Sequence, residues 1–191
     1  MRKILLILLS CPTIFATAQT ETTIRSHYIA VNTKIKESLE QGFEGPLYQN
    51  QVVINKNGKS WPAVGRYSDT TDYWYDDDPN HLSVADRNPK NVLLKVNTVR
   101  ITLHLKTAEE YLYKDGKLLF YYSRQTEEGN EWETRMYFNT KGILFKSSVK
   151  ANGKELTAKD FATPEFKEFK PNAASVISYG KEYQEHFLKR M

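Results

Sequence analysis

Tyr113-Lys114-Asp115-Gly116-Lys117-Leu118-Leu119-Phe120 is answered further along by Tyr137-Phe138-Asn139-Thr140-Lys141-Gly142-Ile143-Leu144-Phe145. Both stretches leave aromatic residues for a polar turn containing glycine and return to apolar and aromatic residues. Asp-Gly accepts the two positive φ angles of a type I′ turn, whose twist matches that of paired antiparallel strands. Each stretch therefore predicts a hairpin. Glu110 to Lys114, Leu118 to Arg124, Trp132 to Phe138 and Ile143 to Lys150 follow as four strands in up-and-down order. Glu127-Glu128-Gly129-Asn130 turns between the middle pair, and Asn152-Gly153 supplies a further turn.

Upstream, Val99, Ile101, Leu103 and Leu105 alternate with Arg100, Thr102, His104 and Lys106, which predicts a strand with one side in the core. Leu94 and Val96 sit on the opposite parity, so a bulge or register change is expected near Asn97-Thr98. Val52-Val53-Ile54, the turn dipeptide Asn57-Gly58 and Ser60 to Tyr67 read as a first hairpin. Pro62 has no amide to donate, which puts that return strand at an edge or breaks it there. Asp72 to Tyr75 reads as another short strand, and Asp76 to Asn91 as a long loop.

Helical spacing appears at both ends. Ile24, Tyr28, Val31, Ile35 and Leu39 form one stripe, with a threonine among 20–23 to cap it and Gly42 to end it. Val176, Tyr179, Tyr183 and Phe187 form another, approached through Pro164 and Pro171, with Phe161, Phe166 and Phe169 expected to plug the end of the core. The fold expected is α+β: a curved antiparallel β-meander of about seven strands, with an N-terminal helix and a C-terminal helical segment packed on one face. The expected core includes Ile24, Tyr28, Val31, Ile35, Leu39, Val99, Ile101, Leu103, Leu105 and Phe187. An aromatic content of 13 %, with 12 Tyr and 9 Phe, agrees with a strand-rich chain.

The first residues carry an address. Arg2 and Lys3, the apolar run Ile4 to Leu9, and Ala16-Thr17-Ala18 before Gln19 have the parts of a secretory signal peptide cut after Ala18. The organisation expected is therefore 1–18 as leader and 19–191 as a single domain, secreted or periplasmic, without a transmembrane span. Leu8-Leu9-Ser10-Cys11 offers a second reading, a lipoprotein acylated at Cys11. Cys11 is the chain's one cysteine, so a chain cut after Ala18 would have no disulfide, thiolate nucleophile or cysteine-held metal. The formal net charge of +4 falls to +2 once Arg2 and Lys3 are removed, too little to indicate nucleic acid as a partner.

The aromatic, small-polar, Gly, Lys, Leu turn followed by an aromatic strand, over about residues 110–155, resembles the hairpins of MORN-like repeats. That resemblance implies hairpins stacked into an extended curved sheet. The leader cut before Gln, the segment Ile24-Arg25-Ser26-His27-Tyr28 and Ser60-Trp61-Pro62-Ala63-Val64-Gly65 together resemble small secreted proteins of the bacterial envelope. No activity comes with either resemblance.

Site chemistry is sparse. Asp76, Asp78 and Asn80 alternate like the first half of a calcium loop, with Asp86 further on, but His81 and Arg87 stand where such a loop needs Gly and Glu. Tyr67, Tyr73, Trp74 and Tyr75 lie beside this acidic stretch, the residue types of a carbohydrate or peptide platform. His27, His81, His104 and His186 occur singly, without metal-ligand spacing. Gly-x-Ser-x-Gly and phosphate-loop motifs are missing. Glu109-Glu110, Glu127-Glu128 and Glu131/Glu133 are the carboxylate pairs a hydrolase would need, but neighbours on a strand point to opposite faces. The expectation is a non-enzymatic module that binds an envelope protein or a cell-wall glycan through its sheet or through segment 67–86. Calcium or carbohydrate binding by that segment is the alternative, and a carboxylate hydrolase a third reading.

Overall fold

The structure, a computed structural model, describes residues 20–76 and 92–189. The leader with Cys11, and Asp78, Asn80 and Asp86, lie outside them. Helix α1 (Glu21–Gln41) precedes strands β1 (Tyr48–Ile54), β2 (Ser60–Trp61), β3 (Gly65–Tyr75), β4 (Leu93–Thr102), β5 (Leu105–Lys114), β6 (Lys117–Glu127), β7 (Asn130–Phe138), β8 (Leu144–Ala151) and β9 (Lys154–Glu155), and helix α2 (Ala173–Leu188) closes the chain. The strands form one antiparallel sheet in the order β1-β3-β4-β5-β6-β7-β8-β9, with β2 paired on β3. Seven strands are long and two are two-residue pieces, so the α+β meander stands.

Thr20 caps α1 by accepting from the Thr23 amide at 3.3 Å, and Gly42 ends it at φ +62°. Beyond it the chain turns back so tightly that a Cβ on Gly45 would lie 2.4 Å from the Ser38 backbone. Ser38 is buried there and accepts from the Leu47 amide at 2.9 Å, tying the helix end to the entry of β1. The turn residues Asp115-Gly116, Glu128-Gly129 and Asn152-Gly153 all have positive φ, as hairpin turns of this kind require.

The helices lie on opposite faces of the sheet, which corrects the expectation of one shared face. Paired residues form rows across it. Tyr73, Val96, Tyr111, Tyr121 and Met136 make one row, packed with Val176 and Phe187 of α2. Trp74, Leu112, Phe120 and Tyr137 belong to the adjacent row on the other side, packed with Ile24, Val31 and Ile35 of α1. Both helices cover the same end of the strands, so that end is buried on two faces and reads as unbroken apolar runs: Tyr111-Leu112-Tyr113, Leu119-Phe120-Tyr121 and Met136-Tyr137-Phe138. Neither helix covers the other end, where the segment before α2 reaches only the β7 side, Phe169 lying on Trp132.

Several core expectations fail for that reason. Val99 and Leu103 are exposed, Leu103 at 56 %, and Leu39 is exposed on α1 at 65 %. The alternation from Val99 to Lys106 spans the β4–β5 hairpin at the open end, with Leu103 at φ +55° in its turn. The register shift falls at Trp74/Tyr75 against Leu93, not near Asn97-Thr98. β1 pairs directly with β3, and Ser60-Trp61 folds back on Gly65-Arg66, leaving Pro62 in the turn between. Phe161, Phe166 and Phe169 are half-exposed and belong to neither core cluster. Leu103→Asp is accordingly expected to change stability by no more than about 0.5 kcal/mol. A urea melt with an unchanged midpoint is the expected result, and loss of cooperative unfolding would restore Leu103 to the core.

Candidate functional site

Beside α2, on the face it covers only in part, the rows turn polar. Thr71, Thr98, Glu109, Ser123 and Thr134 are paired in succession across β3 to β7. The next row outward holds Asp69, Arg100, Thr107, Gln125 and Trp132. α2 walls this shelf on one side and shapes two clefts that share Tyr179, of about 350 Å³ toward β7 and about 310 Å³ toward β1.

Glu109 lies on the floor of the larger cleft. Tyr121 donates to its Oε1 at 2.6 Å and Tyr111 to the same oxygen at 3.2 Å. Burial, reinforced by the Glu109 charge, raises the pKa of both phenols well above the usual tyrosine range, so they stay protonated donors. Oε2 receives only a long 3.4 Å contact from Thr98 and remains the acceptor with capacity for a ligand. Trp132 stacks on Phe169, ring centroids 5.0 Å apart and planes at 9°, which anchors the segment before α2 and sets an indole at the cleft rim. In the second cleft the buried Asp69 accepts from Arg100 Nε at 2.9 Å, with Tyr183 and His186 on the helix wall.

No family model, curated protein or solved structure matches the chain.

The aromatic residues singled out from sequence are dispersed. Tyr73 is buried beneath α2, 6.1 Å from the Phe187 ring, whereas Trp74 is buried on the α1 face with its indole Nε1 lacking a hydrogen-bond partner. Tyr75 stacks on Tyr48 at 5.4 Å, and Tyr67 leans on Trp61 at 4.8 Å. Tyr73 and Trp74 thus share no surface. Asp76 pairs with Lys34 at 3.2 Å, both half-exposed. Among the described residues, no group of three His, Cys, Asp or Glu side chains could hold a metal. Glu109 and Glu110 do diverge as adjacent strand residues must, Glu110 facing Tyr28 and Lys95 under α1.

The polar row was the feature sequence reading passed over. Ser123 opposite Thr134 follows from a turn at Glu128-Gly129, and that signal was available. Glu109 joins the row only because the β5–β6 register shifts by one residue at Leu112/Tyr113.

Proposed function

We propose that the chain is an exported, non-enzymatic binding module of the bacterial envelope, and that it holds a cell-wall glycan in the polar cleft beside α2. The observation that carries this reading is the row Thr71, Thr98, Glu109, Ser123, Thr134, a polar line beside an apolar row, of which Glu109, Ser123 and Thr134 line the larger cleft and Thr71 the smaller, with Thr98 buried between them. Hydroxyls both donate and accept, and the carboxylate only accepts, so together they match a ligand made of hydroxyl and amide groups. The Trp132 indole and Tyr179 offer flat faces for the less polar side of a sugar ring. Export rests on the leader, with cleavage after Ala18 or, as the minor alternative, acylation at Cys11. Among the described residues no helix is long and apolar enough to cross a membrane.

Co-sedimentation with purified peptidoglycan sacculi, followed by titration with the soluble tetramer of β-1,4-linked N-acetylglucosamine, tests the proposal. The wild-type chain is expected to pellet with sacculi. Glu109→Gln loses a charged acceptor, worth roughly 1.5–3 kcal/mol or about 10- to 100-fold in affinity. Trp132→Ala is expected to weaken binding by at least about tenfold. Glu109→Gln should melt close to wild type, because it keeps an acceptor for Tyr111 and Tyr121, whereas Trp132→Ala also loses the Phe169 stack and its binding is read well below its own melting temperature. A wild-type chain that stays in the supernatant and ignores the tetramer rejects the glycan reading.

A further inference from the structure

The opposite face of the sheet carries a second recess, of about 300 Å³, where α1 passes over β6 and β7. Its walls are the rings of Tyr28, Phe120, Tyr122 and Tyr137, and its mouth carries two guanidinium groups, Arg25 and Arg135. Tyr28 meets Phe120 edge to face at 5.4 Å, and Phe120 packs tilted against Tyr137 at 4.9 Å. The recess is therefore a shaped aromatic cup and not a gap between mobile side chains.

Charge at the mouth is unbalanced. Arg25 spends Nε and Nη2 on a single oxygen of Glu21, at 2.8 and 2.7 Å, and Lys146 takes the other oxygen at 2.5 Å. Arg135 spends Nη1 on Glu133 at 3.0 Å and lies 5.1 Å from the centroid of the Tyr122 ring. Glu133 also accepts from the Tyr122 hydroxyl at 2.8 Å and feels the charge of Lys150. Glu21 and Glu133 thus serve Arg25, Lys146, Arg135 and Lys150, and with Glu155 opposite Lys150 the excess around the aromatic hollow is one positive charge. The Tyr28 and Tyr122 hydroxyls are turned to Glu110 and Glu133 and the Tyr137 hydroxyl to Arg25, so what remains for a ligand is ring surface and the guanidinium donors left over, chiefly those of Arg135.

We propose that this recess binds a small organic anion, an aromatic or similarly flat apolar body bearing one carboxylate or phosphate, with the body among the four rings and the acid group on Arg135 and Arg25. Guanidinium forks suit planar oxyanions, and most ligand pockets combine apolar walls with a few placed charges. The site is independent of the glycan cleft, from which the sheet separates it.

Titration of the full chain with phenylacetate, phenyl phosphate, 2-phenylethanol and acetate, followed by NMR shifts of aromatic protons and by melting temperature, decides the matter. One or both phenyl acids should bind with a dissociation constant near or below about 1 mM, a modest demand for so small a ligand. Whichever binds more tightly identifies the acid group. Acetate and 2-phenylethanol should bind at least about tenfold more weakly, and added salt should weaken the acids. Arg135→Met is expected to lower affinity for the acids about tenfold or more, and Arg25→Gln by a smaller factor, while Trp132→Ala on the other face leaves it unchanged. Both arginine positions are partly exposed, so the variants remain folded. Equal affinity for 2-phenylethanol and the acids, undiminished binding by Arg135→Met, or no response to either acid at about 20 mM overturns the proposal.

Discussion

Above pH 10 the folded chain is expected to lose roughly 4 kcal/mol of stability per pH unit from three tyrosines alone. Tyr111, Tyr113 and Tyr121 are nearly or wholly inaccessible at the covered end of the sheet. Burial is the largest cause raising all three, with Glu109 adding to the effect on Tyr111 and Tyr121. In the unfolded chain each phenol ionises near pH 10, while in the folded chain it keeps its proton to higher pH. The folded state then binds more protons, so stability is intact below about pH 10 and falls as pH rises beyond it. Lys95 acts in the other direction. Burial outweighs Glu110 and lowers its pKa, so its contribution to stability rises as pH climbs toward the value of an unfolded lysine. One lysine cannot offset three phenols.

Urea melts followed by tryptophan fluorescence from pH 8 to pH 11 check this. The midpoint should hold nearly steady to about pH 9.5 and then drop steeply. Tyr113→Phe gives a sharper discrimination. It removes the hydrogen bond from the Tyr113 hydroxyl to the Gly180 carbonyl at 2.8 Å, at a cost of about 1 kcal/mol near neutrality, yet should cut the alkaline slope by one phenol's share, about 1.4 kcal/mol per pH unit. An alkaline slope unchanged by that variant would mean the phenol is not held protonated.

What sequence reading achieved follows the reach of its signals. Helix ends were legible because capping is local: Thr20 and Gly42 act within a few residues of the stripe they bound. Hairpins were legible where two residues at the turn had to take positive φ. Facing was not legible, because three strand pairs shift register by one residue, at Trp74/Tyr75, Leu112/Tyr113 and Tyr137/Phe138. Each shift lies at the covered end, where side chains are large, and each reverses the parity counted from a turn or loop. The alternation at Val99 to Leu105 misled for a related reason. It resembles a half-buried strand, but the chain reverses within it, so most of the pattern lies at the uncovered hairpin tip. The polar cleft depends on both effects at once, since it exists only where a helix on one face stops short and the shifted register lines up Glu109 with Ser123.

Lys95→Ala is expected to cost about 3 kcal/mol or more, the scale for removing one partner of a buried ion pair. Lys95 is 3 % exposed beneath α1, where its ammonium donates to Glu110 at 2.7 Å and to Asn32 at 2.6 Å and sits 4.7 Å from the Tyr28 ring centroid. Truncation leaves Glu110 facing an apolar layer with only the Tyr28 hydroxyl, at 2.7 Å, and whatever water its partial exposure admits. The pair itself need not be a net stabiliser, because removing two charges from water offsets most of their attraction. Replacing both partners should therefore cost less than removing one. Lys95→Met with Glu110→Gln keeps the volume and leaves an acceptor for Tyr28, and is expected to cost no more than about 1.5 kcal/mol. Thermal melts should show a drop of roughly 6–12 °C for the single variant and clearly less for the double. Amide exchange should localise the loss to α1, since Asn32 and Tyr28, with His27 Nε2 3.0 Å from the Tyr113 carbonyl oxygen, are polar attachments of the helix to this part of the sheet. If the double variant proved as unstable as Lys95→Ala, the ion pair would be a true stabiliser, and docking of α1 would depend on charge as well as on Ile24, Val31 and Ile35.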